Sequence, residues 1–181
     1  MKLNRRDGPE GHESFARVYE EHVWIVYGFL AYRTHDQATA EDLTQATFEK
    51  ALRAWSRFDP RKGSERTWLL AIARNLLIDH HRRDRSSRAE IEEDMLPAVA
   101  GPEDRPMASH EIADALGRLS DRDREVIALR FGGDLTGPEI AELLGLTLAN
   151  VQQILSRSLR KLRSILDETG FSKLTGEARS R

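Results

Sequence analysis

Apolar residues return every three or four positions over most of this chain, which is the spacing of helices with one buried face. The pattern predicts helices over about 13–33, 37–56 and 64–84 in the first half. No stretch alternates apolar and polar residues between turn formers, so no strand is expected. "RFDPRKGSE" separates the second helix from the third, with Asp59-Pro60 and Gly63-Ser64 as turn formers and Ser64 placed to cap the third helix. In the second helix Phe48, Leu52 and Trp55 form the expected buried stripe. Asp42, Gln45, Glu49 and Arg53 form a polar stripe, which reads either as a solvated face or as a docking surface. Trp68, Ile72 and Leu76 follow one another at i, i+4 and i+8 in the third helix, as core or as a surface for nucleotides.

The composition then changes. "DRSSRAEIEEDMLPAVAGPEDRPMAS" holds three prolines, a glycine and an acidic cluster with few large apolar residues, and reads as a flexible linker. An acidic patch docked on basic surfaces elsewhere is the other reading of the segment. Helical spacing resumes in "SHEIADALGRL", "SDRDREVIALRF", "TGPEIAELL" and "TLANVQQILSRSLRKLRSIL", whose short connections imply a second small bundle. The predicted class is therefore all-α, two small helical bundles joined by a flexible linker. Its expected divisions are 13–84, a linker over 85–108, and 109–166. The tail "TGEARSR" has little to bury and is expected to fray.

The second bundle contains a helix-turn-helix pattern. Thr136 and Glu139 make a capping box, Ile140, Leu143 and Leu144 form an apolar stripe, Gly145 supplies a turn, and Thr147 can cap the next helix. In that helix Val151, Leu155, Leu159 and Leu162 are expected to pack on the bundle. The other side carries Asn150, Gln153 and Arg157, with Gln152, Ser156 and Arg160 beside them. Asn and Gln can pair with the N6 and N7 edge of adenine, and Arg can fork onto O6 and N7 of guanine. Arg160, Lys161 and Arg163 suit phosphates, which position without specifying. An ordinary helical hairpin with a solvated face fits the spacing too, but such faces are more often filled with Glu and Lys than with Gln.

Charge sharpens this picture. The formal net charge is -2, yet Arg61 to Arg88 holds eight basic residues against three acids, a local net of +5. Thr147 to Ser164 holds four basic residues and no acid. Two basic islands on an acidic background suggest two contacts with one polyanion. The segment around Phe58–Arg88 combines Trp68, Asn75, two histidines and the cations Arg61, Lys62, Arg66, Arg74, Arg82 and Arg83. Those are the groups that extruded bases and their backbone require.

The remaining composition narrows the class. With no cysteine, disulfides and thiolate zinc sites are excluded. "MKLNRRDGPEGHES" lacks the apolar core of a secretory signal, no apolar run is long enough to span a bilayer, and the expected location is the cytoplasm. No cofactor or metal is expected. His80 and His81 are adjacent and point about 100° apart on a helix, so they cannot share a metal as an i, i+4 pair would. No Gly-rich phosphate loop or nucleophile elbow is present, so an enzyme is not expected.

The order of these elements resembles the RNA polymerase sigma factors of the compact extracytoplasmic-function type. The resemblance rests on "AEDLTQATFEKALRAWSRFDPRKGSERTWLLAIARNLLIDHHRR" and "LGRLSDRDREVIALRFGGDLTGPEIAELLGLTLANVQQILSRSLRKLR", and covers most of residues 13–166. It implies four helices in the first domain, so that 13–33 divides into two elements. It implies that Asp42, Gln45, Glu49 and Arg53 grip the clamp helices of the polymerase's largest subunit, with a second contact at the flap. It implies that Asp59–Glu65 and the helix from Thr67 to Arg83 capture the minus-ten element as single strand, with Trp68 and Asn75 near the opened bases. The second domain would read the minus-thirty-five element as duplex, and an anti-sigma factor would be a further partner. Two departures stand out. Glu65 replaces a frequent aromatic, and "ANVQQIL" is less basic than the family's usual start of the reading helix, which shifts the burden onto Asn150, Gln153 and Arg157. The short tail after residue 166 gives no expectation of an appended regulatory fold. A stand-alone helix-turn-helix regulator is the alternative, and would bind duplex DNA tightly by itself.

Overall fold

The computed structural model describes residues 9–34, 36–90 and 110–168. Those residues contain helices and turns and no strand. The chain divides into two compact units, Met1–Gly101 and Pro102–Arg181. The expected linker lies mostly in 91–109, and the tail in 169–181, both outside the described residues.

The first unit is built from α1 (Pro9–Ala31), α2 (Gln37–Ala54) and α3 (Glu65–Glu90). The division of the first segment that the resemblance implied does not occur, because α1 runs unbroken and buries Phe15, Val18, Val26, Phe29 and Leu30. Asp36 starts α2 by accepting from the Thr39 N–H and hydroxyl, both at 2.7 Å. From there Ala40, Leu43, Thr44, Thr47, Phe48 and Ala51 turn inward at i, i+3, i+4, i+7, i+8 and i+11. The two buried threonines satisfy their hydroxyls on the Ala40 and Leu43 carbonyls, each at 2.7 Å. Leu52, expected in this stripe, is 43% exposed instead. At about 100° per residue it lies about 100° from the centre of the buried face, beyond Phe48. The end of the helix tightens into a 3-10 turn, Trp55–Arg57, whose Trp55 ring stacks on Phe58 with centroids 5.3 Å apart.

Ser64 caps α3 as expected, accepting from the Thr67 N–H at 3.1 Å. The core of α3 is Leu69, Leu70, Ala73 and Leu77, while Trp68, Ile72 and Leu76 are only half-buried. The helix continues to Glu90, into the expected linker, because "RSSRAE" contains neither glycine nor proline to stop it.

In the second unit, α4 (His110–Gly117), α5 (Asp121–Ile127), α6 (Gly137–Leu144) and α7 (Leu148–Glu168) surround a core of Val126, Ile127, Leu129, Leu135, Ile140 and Val151. The end of α4 is sealed by Arg124, which donates to the Leu116 and Gly117 carbonyls at 2.9 Å. Beyond α5 the backbone widens into a π-helical turn, Ala128–Gly132, which buries Ala128 and Leu129. In α6 Ile140 and Ala141 are fully committed to the core, whereas Leu143 and Leu144 are half-buried.

Candidate nucleic-acid interface

The turn between α6 and α7 is closed at every backbone group the sequence singled out. Glu139 reaches back to accept from the Thr136 N–H at 2.8 Å and its hydroxyl at 2.6 Å, completing the expected capping box. Gly145 adopts the left-handed conformation, φ 64° and ψ 38°. Its N–H bonds the Glu142 carbonyl at 3.3 Å, and that of Leu146 bonds Ala141 at 2.8 Å, the paired bonds of a Schellman turn. Two residues later Thr147 accepts from the Asn150 N–H at 3.2 Å and starts α7. The two helices approach so closely that a Cβ added at Gly137 would sit 2.9 Å from Leu148 Cδ1.

The buried side of α7 is Val151, Ile154, Ser158 and Ile165, rather than the expected Val151, Leu155, Leu159 and Leu162. Leu155 and Leu162 are half-buried and Leu159 is 45% exposed, because the centre of the buried face falls between Val151 and Ile154. Helical geometry then sorts the candidate readers. Gln153, Ser156 and Arg160 point away from the core, with Gln152 and Arg163 to one side and Asn150, Arg157 and Lys161 to the other. The last flank meets the rest of the unit. Arg157 is paired with Asp123 of α5 at 2.6 Å, and the Lys161 ammonium donates to the Arg118 carbonyl at 2.7 Å. Arg160 stays exposed, its Nε on the Ser156 carbonyl at 3.3 Å.

On α3 the candidates divide as well. Trp68, Asn75 and Arg82 recur every seven residues and form one row opposite the buried face of Leu69, Leu70, Ala73 and Leu77. Arg66 and Arg74 leave the helix in other directions. Trp68 rests on Phe58 and Trp55, with ring centroids 5.1 and 6.0 Å away, so its half-exposed ring is supported from beneath. Asn75 is exposed, and Arg82 pairs with Asp79 at 3.2 Å. Arg83 Nε donates to the Asp79 carbonyl at 3.3 Å. Ile78, which the sequence did not single out, is 46% exposed beside this row. The preceding loop is held by Asp59, which grips Arg61 through Nε and Nη2 at 3.0 and 3.1 Å and takes its backbone N–H at 3.1 Å. Asp59 thereby raises the Arg61 pKa above its ordinary value. Lys62 is exposed on the same loop.

Glu65 turns toward α1 and not along this row. Its carboxylate accepts from Arg17 Nη2 at 2.9 and 3.2 Å and lies 3.7 Å from His22 Nε2, tying the start of α3 to α1. Glu21, His22 and Glu65 place ligand-type atoms within 4.8 Å of one another, but Arg17 also holds Glu21 at 2.7 Å, so both carboxylates are already matched by a cation. His80 and His81 keep their rings 5.9 Å apart, and His80 pairs with Asp84 at 3.2 Å.

Asp42, Gln45, Glu49 and Arg53 are all exposed along α2. Gln45 donates to Glu49 Oε1 at 3.0 Å, and Arg53 lies 3.8 Å from Glu49 Oε2, so three of the four form a continuous polar chain. Leu52 borders them on the Phe48 side and gives the stripe an apolar edge, where periodicity alone placed it inside.

Comparison with known proteins gives a consistent picture. Residues 18–87 match Sigma-70 region 2 and residues 115–164 match Sigma-70, region 4. The chain is 34% identical over 167 residues to the RNA polymerase sigma factor CarQ of Myxococcus xanthus, covering 90% of this chain and 94% of that one. It is 32% identical over 174 residues to the ECF RNA polymerase sigma factor BldN of Streptomyces coelicolor, covering 93% of this chain but only 66% of BldN. Among solved structures, the fold resembles the sigma factor RpoE of Bartonella quintana, captured with the anti-sigma factor NepR, at 21% identity and a TM-score of 0.71 over 86% of this chain and 98% of that one. It also resembles CnrH, solved in complex with the cytosolic domain of CnrY, at 27% identity and a TM-score of 0.64 over 90% and 92% of the respective chains. No helix among the described residues is long and apolar enough to cross a membrane.

Proposed function

The chain belongs to the sigma-70 family of RNA polymerase sigma factors, in its ECF group, and from that premise we propose how its surfaces divide the work of promoter-specific transcription initiation. The first domain, over 13–84, docks on core polymerase and holds the opened minus-ten strand. The second domain, over 109–166, reads the minus-thirty-five element as duplex. The observation that carries the reading is that one chain presents two exposed polar surfaces of different build. One is the supported Trp68–Asn75–Arg82 row, suited to unstacked bases, and the other is the capped α6–α7 pair, suited to a major groove.

The docking surface for the polymerase clamp helices is the α2 stripe of Asp42, Gln45, Glu49 and Arg53 with the exposed Leu52 at its edge, and a second contact falls to the flap. Base reading belongs to Asn150, Gln152, Gln153 and Arg157. Ser156 and Arg160 approach the backbone, while Lys161 braces α4 through the Arg118 carbonyl. Arg61, Lys62, Arg66, Arg74, Arg82 and Arg83 supply positive charge along the melted strand. The chain contributes recognition, and the chemistry of RNA synthesis is the polymerase's own; its place of action is the cytoplasm. A protein that captures and silences the chain is part of this proposal, supported by CnrH, whose structure holds the cytosolic domain of CnrY.

Binding measured with and without core polymerase tests the reading. The chain alone is expected to bind promoter duplex weakly, with affinity falling steeply as salt rises, and the assembled holoenzyme to bind it tightly. Tight, sequence-specific duplex binding by the chain alone would replace this function with that of a stand-alone regulator, which the family match does not favour.

A further inference from the structure

The ion pair between α5 and α7 has a geometry that bears on base reading. Asp123 is the third residue of α5, where its N–H is taken by Ser120 Oγ at 3.2 Å and the helix N-terminus favours a negative charge. Its carboxylate is only 14% exposed and receives both Nε and Nη2 of Arg157, at 3.2 and 2.6 Å. The guanidinium is therefore held along its side edge. Nη1 makes no hydrogen bond among the described residues, and the side chain remains 52% exposed. A guanidinium has two usable forks, Nε with Nη2 and Nη1 with Nη2. Asp123 occupies the first and leaves the second open to pair with O6 and N7 of guanine.

We infer that Asp123 is a specificity-determining residue, which acts by holding Arg157 so that its outer fork reads one guanine of the duplex element. This rests on the reading of α7 as the helix that enters the major groove. Asp123 itself touches no base and is a positioning residue. A free arginine must lose its rotamer freedom when it binds a base, whereas this one is already fixed by a contact made within the protein. An ordered side chain of this kind improves binding at its own contact by about 2- to 12-fold. The long separation in sequence between Asp123 and Arg157 explains why no local pattern announces the pair.

The test uses holoenzyme assembled from the full chain and core polymerase, and a panel of promoters in which each base pair of the minus-thirty-five element is replaced in turn. Affinities are compared for wild type, Asp123→Ala, Asp123→Asn and Arg157→Ala. Arg157→Ala is expected to abolish preference at one base pair. Asp123→Ala is expected to reduce preference at that same base pair by about 2- to 12-fold and to leave the others unchanged. Asp123→Asn, which keeps an acceptor oxygen but no charge, should fall between it and wild type. A loss shared equally by all base pairs, a uniform gain in affinity with steeper salt dependence, or no change for Asp123→Ala would each overturn the inference. If Arg157→Ala leaves every preference intact, Arg157 reads no base and the inference fails while α7 keeps its other readers; if Asn150→Ala and Gln153→Ala leave every preference intact as well, the reading of α7 itself fails. Thermal unfolding of each variant separates a misfolded second unit from these outcomes.

Discussion

Replacing Gly145 by alanine isolates the backbone geometry on which the α6–α7 pair depends. The residue holds φ at 64°, and a Cβ built there meets nothing within 4 Å. The cost is therefore conformational and not steric. Placing an ordinary L-residue in the left-handed region costs roughly 1 to 2 kcal/mol, while Asn tolerates it better. Alanine's smaller entropy in the unfolded chain offsets part of this, leaving a net of about 1 kcal/mol. For a unit of this size that corresponds to a fall in Tm of about 4 to 8 °C. Thermal unfolding followed by circular dichroism, with the transition of the second unit resolved, reads the effect. Gly145→Asn should lose clearly less than Gly145→Ala, and Gly145→Lys no more, since the surrounding space is open. If alanine melts with wild type, or if lysine is far worse than alanine, the reasoning from backbone strain is wrong.

Asp36→Ala should destabilise the first unit by about 1 kcal/mol through loss of the α2 cap, measured by urea titration. Hydrogen bonds from the Thr39 hydroxyl and then its N–H hold the Asp36 carboxyl below its ordinary value of 3.8. The wild-type advantage should thus be complete above that value and vanish as pH falls through the lowered one; an advantage that survives in strong acid would contradict this. Asn75→Ala should hinder strand opening more than closed-complex formation, read as permanganate reactivity against duplex-complex affinity, and equal losses would refute its role at extruded bases. Leu52→Glu should weaken the affinity for core polymerase several-fold while changing stability by no more than about 0.5 kcal/mol, because the side chain is 43% exposed. A large loss of stability would return Leu52 to the core.

The features legible in the sequence were mostly local. Ser64, Thr136 with Glu139, Gly145 and Thr147 each act within three or four residues of themselves, and each does in the structure what its position announces. Apolar periodicity found the helices but misjudged their centres. Leu52 and Leu159 each lie four residues from a core-compatible neighbour, yet both fall at the edge of a buried face whose centre is set by other residues. In α7 a serine, Ser158, occupies the buried position that the pattern reserved for leucine. The contacts that fix the positions of the candidate residues are long-range and carried no sequence signal. Glu65 could be flagged as an unusual residue for its position, but its partner Arg17 lies 48 residues away, and Arg157 meets Asp123 across 34. Such pairs depend on which helices come to lie side by side, and that is decided by packing.

Run-off transcription with core polymerase, on promoters with intact and altered minus-ten and minus-thirty-five elements, tests the proposed division of work most directly. The account predicts that adding the chain creates a new start site, that altering the minus-ten element abolishes strand opening there, and that altering the minus-thirty-five element weakens recruitment while leaving opening possible once the complex has formed. A chain that neither associates with core polymerase nor creates a start site, yet still binds duplex promoter DNA, would contradict it.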